Sequence, residues 1–209
     1  VDGYPTLDSV GKFGPYLRQI LHFSCDTSWP LRDQARIRDA RVSLVGDGQG
    51  LEENLQDALK HAGVGSIEIS ENEVCAEVDL AILVTRELFS ERTLGLNVDL
   101  LKAKVPFLVV GIEWGTGVVG PAVLSLESAC LGCIHAVLDQ ASPIFTRGHP
   151  LHPPTTGSRD QENHLCEPMN LAPLVANLST IQVVEILRGG SQVKKNQQLY
   201  IHSENLEFR

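Results

Sequence analysis

Aromatic side chains are scarce in this chain of 209 residues, with two Trp, three Tyr and six Phe beside a single Met. The core must therefore come from Val, Leu and Ile, which suits an α/β architecture. Basic residues are in deficit too: Lys plus Arg number 17 against 26 Asp plus Glu, a formal charge of −9. A polyanionic partner would need a local basic patch, so nucleic acid is not an expected partner. No apolar run approaches the length of a membrane span, and VDGYPTLDSV at the amino end has neither the basic start nor the apolar stretch of a signal peptide. The expectation is a soluble, cytoplasmic protein without a membrane partner. Five cysteines, an odd number, point in such a chain to reduced thiols or metal ligands rather than disulfides.

The length fits one domain with extensions and allows a sizeable core. Residues 1–40 read as an amino-terminal arm, polar and interrupted by Gly14-Pro15 and Trp29-Pro30, with short helices at Tyr16 to Phe23 and Arg32 to Ala40. From Arg41 to the end the rhythm is that of an α/β domain. A strand at Arg41 to Val45, a helix at Leu51 to His61 and a strand at Ser66 to Ile69 make a βαβ unit. Two buried-type strands follow, within Ala76 to Thr85 and at Val105 to Ile112, separated by a helix at Thr93 to Ala103. Their continuous apolar runs are what a parallel sheet covered on both faces requires. Thr116 to Cys133 predicts two short antiparallel strands around Gly120-Pro121, leading into a helix from about Cys130 to Gln140. Residues 142–168, rich in Pro, His, Thr and Gly, predict a mobile crossover loop. A helix at Leu171 to Arg188 stops at Gly189-Gly190, and Leu199 to His202 with Leu206 to Phe208 predict a final hairpin.

SLVGDGQG, Ser43 to Gly50, joins the first strand to the first helix of that unit. Glycines at 46, 48 and 50 let backbone N–H groups approach a pyrophosphate at a helix N-terminus, but the third glycine of the dinucleotide fingerprint is missing. A nucleotide turn and a purely structural turn both fit. Gly48 is expected in a backbone conformation closed to other residues, so that Gly48→Ala would disturb folding more than activity. A dinucleotide enzyme also needs an acidic residue at the tip of the second strand for the ribose; Glu71 lies one place past it, which keeps an NAD(P)-dependent oxidoreductase as an alternative.

Cys130-Leu131-Gly132-Cys133 is the most specific local motif. Two thiolates at this spacing clamp one face of a tetrahedral zinc, and closure needs two further ligands. There is no second CxxC; His149, His152, His164 and Cys166 could complete a site, and two buried thiols at a helix start or a redox disulfide are the other readings. The three histidines are equally well solvated loop residues. Cys75 has no adjacent base and reads as a half-buried structural thiol, Cys25 stands in another context, and Asp79 and Asp99 read as capping or solvated groups.

Taken together, Arg38-Asp39-Ala40-Arg41-Val42, the glycine turn, HAGVGSIEI at 61–69, VDLAILV, VPFLVVGI at 105–112 and VVGPAVLSLESACLGC at 118–133 resemble the ThiF/ubiquitin-activating-like family. Within it they are similar to the proteins of thiazole/oxazole-modified peptide pathways that partner YcaO cyclodehydratases. LRQILHFS, Leu17 to Ser24, resembles the segment preceding the fold there. The resemblance spans Tyr16 to Phe208. It implies a Rossmann-like, mostly parallel sheet flanked by helices with an antiparallel extension, a precursor (leader) peptide and a YcaO-type enzyme as partners, and a homodimer. Adenylating members carry Asp-x-Asp where this chain has Ser70 and Asn72, and a further Asp where it reads Val84-Thr85-Arg86; their Asn-x-x-Arg-Gln stretch is missing. Without those carboxylates and that guanidinium, acyl-adenylate formation loses its electrostatic support, and ATP is not an expected cofactor. An active adenylating enzyme acting on a peptide carboxylate is the competing reading. The family's winged-helix peptide clasp lies before the fold, where about 40 residues precede Val42 here. Its zinc uses a second cysteine pair that this sequence does not hold, which leaves Cys130 and Cys133 as the metal candidates.

Overall fold

The computed structural model describes residues 30–48, 50–75, 77–113, 115–125, 128–140, 171–189 and 197–202. Helix α1 (Pro30–Asp39) runs into strand β1 (Arg41–Asp47), followed by α2 (Leu51–His61), β2 (Ser66–Ser70), β3 (Leu80–Thr85) and α3 (Glu91–Ala103). Then come β4 (Phe107–Glu113), β5 (Thr116–Val123), α4 (Leu131–Gln140), α5 (Leu171–Arg188) and β6 (Leu199–His202). The six strands form one sheet in the order β2-β1-β3-β4-β5-β6. Pairs β2–β1, β1–β3 and β3–β4 are parallel, while β5 is antiparallel to both β4 and β6. This is the expected α/β architecture, a mostly parallel Rossmann-like sheet with an antiparallel extension.

Alternation within each strand decides what covers it. Val42 and Leu44 of β1, Leu80, Ile82 and Val84 of β3, and Leu108 and Val110 of β4 meet Leu51, Leu55 and Leu59 of α2 and the inner face of α5. The intervening residues, among them Val45, Leu83, Phe107 and Val109, meet Leu96 and Leu100 of α3 and Leu131 of α4. Because both faces are covered, β3 is buried at all its positions and its sequence reads as one apolar run.

One expected feature is corrected. Gly120-Pro121 does not separate two strands; it lies inside β5, with a cis peptide bond. The register moves from Leu108↔Ala122 to Val110↔Val119, so β5 carries one more residue than β4 over this stretch. That is a β-bulge, and Gly120 at φ 106° supplies the conformation it needs. The extra residue shifts the alternation, so that Val119 and Ala122 both face α5 while Val118 and Val123 face α3 and α4. The reversal expected at Gly-Pro occurs instead between Glu113 and Thr116, the closing pair of the β4–β5 ladder.

Helix α5 is long and apolar enough to cross a membrane by length and composition, with mean hydropathy 1.2. The expectation that no run reaches that length is therefore corrected. Its apolar content is used within the fold: Val175, Ala176 and Val183 are buried against the sheet and α2. The helix ends as expected at Gly189, φ 74°. Its last turn holds Arg188, 7% exposed, bonded through Nη2 to Glu185 at 2.8 Å, while Arg36 of α1 donates to the Arg188 carbonyl at 3.1 Å. A cation at this end also complements the helix dipole. The helix expected at 16–23, the crossover segment 142–168 and the hairpin arm at 206–208 lie outside the described residues.

Candidate functional site

From β1 the chain crosses to β2 on one side and returns to β3 on the other. The carboxyl ends of β1 and β3 consequently face connections that leave in opposite directions, and a crevice opens there. Gly46 and Asp47 form one wall, Val84 and Thr85 another, and Arg86 and Arg92 the mouth; the volume is about 200 Å³. Small-molecule sites usually enclose roughly 300–1,000 Å³, so this one is small. The floor is tight because β1 and β3 approach closely: Gly46 has φ 125°, and a Cβ there would fall on the Val84 carbonyl.

The left-handed positions of the glycine turn are Gly46 and Gly50, φ 94°, and not Gly48, which corrects the expectation for that residue. Gly48 is closed to side chains by crowding instead, since a Cβ would lie 2.5 Å from Val84 Cγ1 and 3.1 Å from the Leu51 Cβ. Gly50 is the N-cap of α2 and has no side chain to offer the orphan N–H groups. Glu52, in the first turn of α2, turns its carboxylate back onto the N–H groups that precede the helix. Its carboxylate takes the Gly48 N–H on one oxygen and the Gly50 N–H, at 3.2 Å, on the other. The two N–H groups that would cradle a phosphate thus hold the chain's own carboxylate. Glu52→Ala is expected to cost about 1–2 kcal/mol, the usual loss for orphaned cap donors, while Glu52→Gln retains part of the bonding. Urea denaturation of the two variants measures this, and equal stability to the parent would count against the cap.

Asp47, in the middle of the glycine turn, spans the crevice. Its Oδ2 lies 3.1 Å from Arg86 Nη2 and 3.6 Å from Arg92 Nη1. The β3–α3 connection that carries Arg86 is pinned by hydroxyl groups. Thr85 Oγ1 accepts from the Glu87 N–H at 3.1 Å and lies 2.8 Å from Thr93 Oγ1, and Ser90 caps α3 by accepting from the Thr93 N–H at 3.2 Å. Arg92 also reaches β2's exit, donating to the Glu71 carbonyl at 3.1 Å. Glu71 is exposed and its carboxylate stands 4.0 Å from Arg92, while the Ser70 hydroxyl accepts from the Glu73 N–H at 2.9 Å. The Ser70 hydroxyl and the Glu71 carbonyl are thus engaged within this turn.

On the other end of the α3 face, Cys130 precedes α4 and is 8% exposed, Cys133 is exposed, and their sulfurs are 3.5 Å apart. Burial pushes the Cys130 thiol up. The Cys133 N–H, the Cys133 thiol, the Asn97 amide and the Gly132 N–H outweigh it, and the net shift is downward. Asn97, 1% exposed on α3, accepts the Leu131 N–H at 3.2 Å. Among the described residues no group of three or more His, Cys, Asp or Glu stands together, so the described residues supply two zinc donors and not four. His149, His152, His164, Cys166 and Cys25 lie outside the described residues. Cys75 is a half-buried free thiol, Asp79 accepts the Arg41 N–H at 2.8 Å at the start of β1, and Asp99 pairs with Lys102 at 3.3 Å on the surface.

At the far side of the β3–α3 connection, Glu113 accepts the Leu88 N–H at 3.2 Å. Burial raises its carboxyl above the ordinary range, the Leu88 N–H lowers it and nearby Glu87 raises it again. Glu52, Asp47 and Asn97 do not stand out by residue type. The signal for Glu52 is its spacing from Gly48 across an N-cap without a side chain. Nothing local marks Asn97, which lies 33 positions before Cys130.

No protein-family profile and no curated protein matches the sequence. Solved structures do. E. coli MccB is 14% identical, with a TM-score of 0.65 over 97% of this chain and 69% of its own. The heterocyclase TruD is 16% identical, with a TM-score of 0.58 over 86% of this chain and 26% of its own. A heterocyclase in complex with substrate and cofactor is 13% identical, with a TM-score of 0.59 over 84% of this chain and 24% of its own. The chain thus spans about a quarter of the heterocyclases and about two thirds of MccB. At these identities what is shared is the fold, and the six-stranded sheet with its antiparallel flank and two helical layers is ThiF-like.

Proposed function

We propose that this chain is a non-adenylating ThiF-like partner protein in the biosynthesis of ribosomally made, heterocycle-modified peptides. In this role it presents a precursor peptide to a YcaO-type cyclodehydratase. One observation carries the reading: the switch-point crevice is furnished from within. Where adenylating members of the resembled family carry a metal-holding Asp this chain reads Val84-Thr85-Arg86, and Arg86 pairs with Asp47 at 3.1 Å. Glu52 occupies the N–H groups of the glycine turn. A triphosphate with its magnesium would meet a self-filled N–H cradle and, in Asp47, a carboxylate already paired with Arg86 and Arg92. Acyl-adenylate formation depends on electrostatic groups arranged for the opposite purpose, carboxylates on the metal and free donors on the phosphates. The heterocyclases that share the fold support the pathway, one of them solved with its substrate.

The second reading is an active adenylating enzyme. It is favoured by one finding, that MccB, solved with ATP, shares the fold over 92% of this chain. Two measurements on the same sample separate them. Fluorescence anisotropy with a labelled precursor peptide is expected to show saturable binding, and ATP–pyrophosphate exchange with that peptide is expected to stay at background. Exchange above background would establish the second reading; no peptide binding with flat exchange would remove both.

A further inference from the structure

We propose that the outer edge of β2 receives an extended, basic segment of another polypeptide, which adds to the sheet as a further strand, independently of any pathway role. β2 is the terminal strand of the sheet, and among the described residues nothing pairs with its outer side. One bond fixes the phase of its backbone. The Ser66 N–H donates to the Ala40 carbonyl at 3.2 Å, so in this parallel pairing the backbone groups of Ser66, Glu68 and Ser70 face β1. Those of Ile67 and Ile69 consequently face away. Their N–H and C=O groups stand in a row at the spacing that an incoming strand matches. Glu71 ends the row, since its carbonyl already accepts from Arg92.

The side chains define which strand fits. Ile67 packs partly against the α2 side of the sheet, and Ile69, on the same face, is 49% exposed. On the opposite face Glu68 is exposed, and the exposed Glu71 and Glu73 follow at the exit of the strand. Among the described residues neither Glu68 nor Glu73 takes part in an ion pair, and Arg92 reaches Glu71 only at 4.0 Å. A strand laid beside β2 places alternate residues next to Ile69 and next to Glu68, so apolar and basic residues alternating along it suit both faces. A second copy offering the same edge would set acidic residues against acidic residues, and like charges across a strand pair are destabilising. The formal charge of −9 opposes that approach as well. The glutamates that keep two copies apart thus select a partner of opposite sign.

The test is fluorescence anisotropy with the full chain and a short labelled peptide of alternating valine and lysine. Saturable binding is expected, weakened by added salt and lost when the backbone amides of the peptide are N-methylated. Ile69→Pro removes one outward donor and leaves the ladder to β1 intact, at an edge position where proline is tolerated. It should weaken binding by about tenfold, as should Glu68→Lys at its exposed site. Urea midpoints establish that each variant is folded, and Glu68→Lys decides the matter where Ile69→Pro is not. A peptide of alternating valine and glutamate that binds as tightly as the lysine one would overturn the proposal. So would binding indifferent to N-methylation, or no binding at all. A dimer of the free chain that Ile69→Pro dissociates would overturn it too, because the edge would then belong to a second copy.

Discussion

Gly46→Ala is expected to destabilise the fold by roughly 4 kcal/mol or more. Two costs coincide at this position. With φ 125° the backbone lies where an L-residue is strained by about 1–3 kcal/mol, and a Cβ would also fall on the Val84 carbonyl oxygen. The second cost has no cheap relief, because that oxygen belongs to β3, which is hydrogen-bonded to β1 and β4 on its two sides. Moving it disturbs two ladders at once. A total of roughly 4 kcal/mol or more is a large share of the 5–15 kcal/mol that stabilises an ordinary domain. Gly95→Ala provides the contrast. Gly95 sits inside α3 with nothing within 4 Å of the place a Cβ would take, so the same substitution there is expected to stabilise by about 0.5–1 kcal/mol. Urea denaturation followed by circular dichroism reads both. If Gly46→Ala unfolds within about 1 kcal/mol of the parent, β1 and β3 are not held at this separation, and the crevice above them is wider than described.

The difference between these two glycines shows what the sequence could and could not reveal. Both look alike as letters. The strand–turn–helix pattern around Gly46 was legible, as were α2, from the spacing of Leu51, Leu55 and Leu59, and α5 with its Gly189 stop. These are local periodicities enforced by burial, and burial on one face leaves a repeating trace. The Gly120-Pro121 bulge was misread because the dipeptide is a strong turn signal locally, and only pairing with Leu108 and Val110 of β4 reveals that it stays in a strand. The crevice was half legible. That Val84-Thr85-Arg86 lacks the family's acidic residue followed from the resemblance, but Arg86's partner Asp47 lies 39 positions earlier and is joined to it only by the crossing from β1 to β3. Cys130 and Cys133 announce themselves by spacing; Asn97, which accepts the Leu131 N–H between them, does so only once α3 and α4 are side by side. Contacts made by topology rather than by neighbours in the chain leave no periodic mark.

The two faces of the sheet should respond separately, and Phe107→Ala tests this with the largest core loss available. Phe107 opens β4, is fully buried, and has the greatest volume of the fully buried side chains among the described residues. Its register partners are Ala81 on β3 and Val123 on β5, so no large neighbour on the adjacent strands at that level can expand into the space it leaves. The expected destabilisation is about 3–5 kcal/mol, transfer cost plus an unfilled cavity. Cys130 and Leu131 share that cluster, which is separate from the one containing Leu55 on the other side of the sheet. Loosening the Phe107 side should therefore let a thiol reagent reach Cys130 faster under native conditions, in proportion to the opening of α4 from the sheet. Leu55→Ala should cost a comparable 2–5 kcal/mol while leaving Cys130 as protected as in the parent. Thiol labelling quantified per cysteine, alongside urea midpoints, distinguishes the cases. Equal acceleration at Cys130 in both variants would mean that the sheet opens as one unit, and that the face carrying Cys130 and Phe107 has no stability of its own.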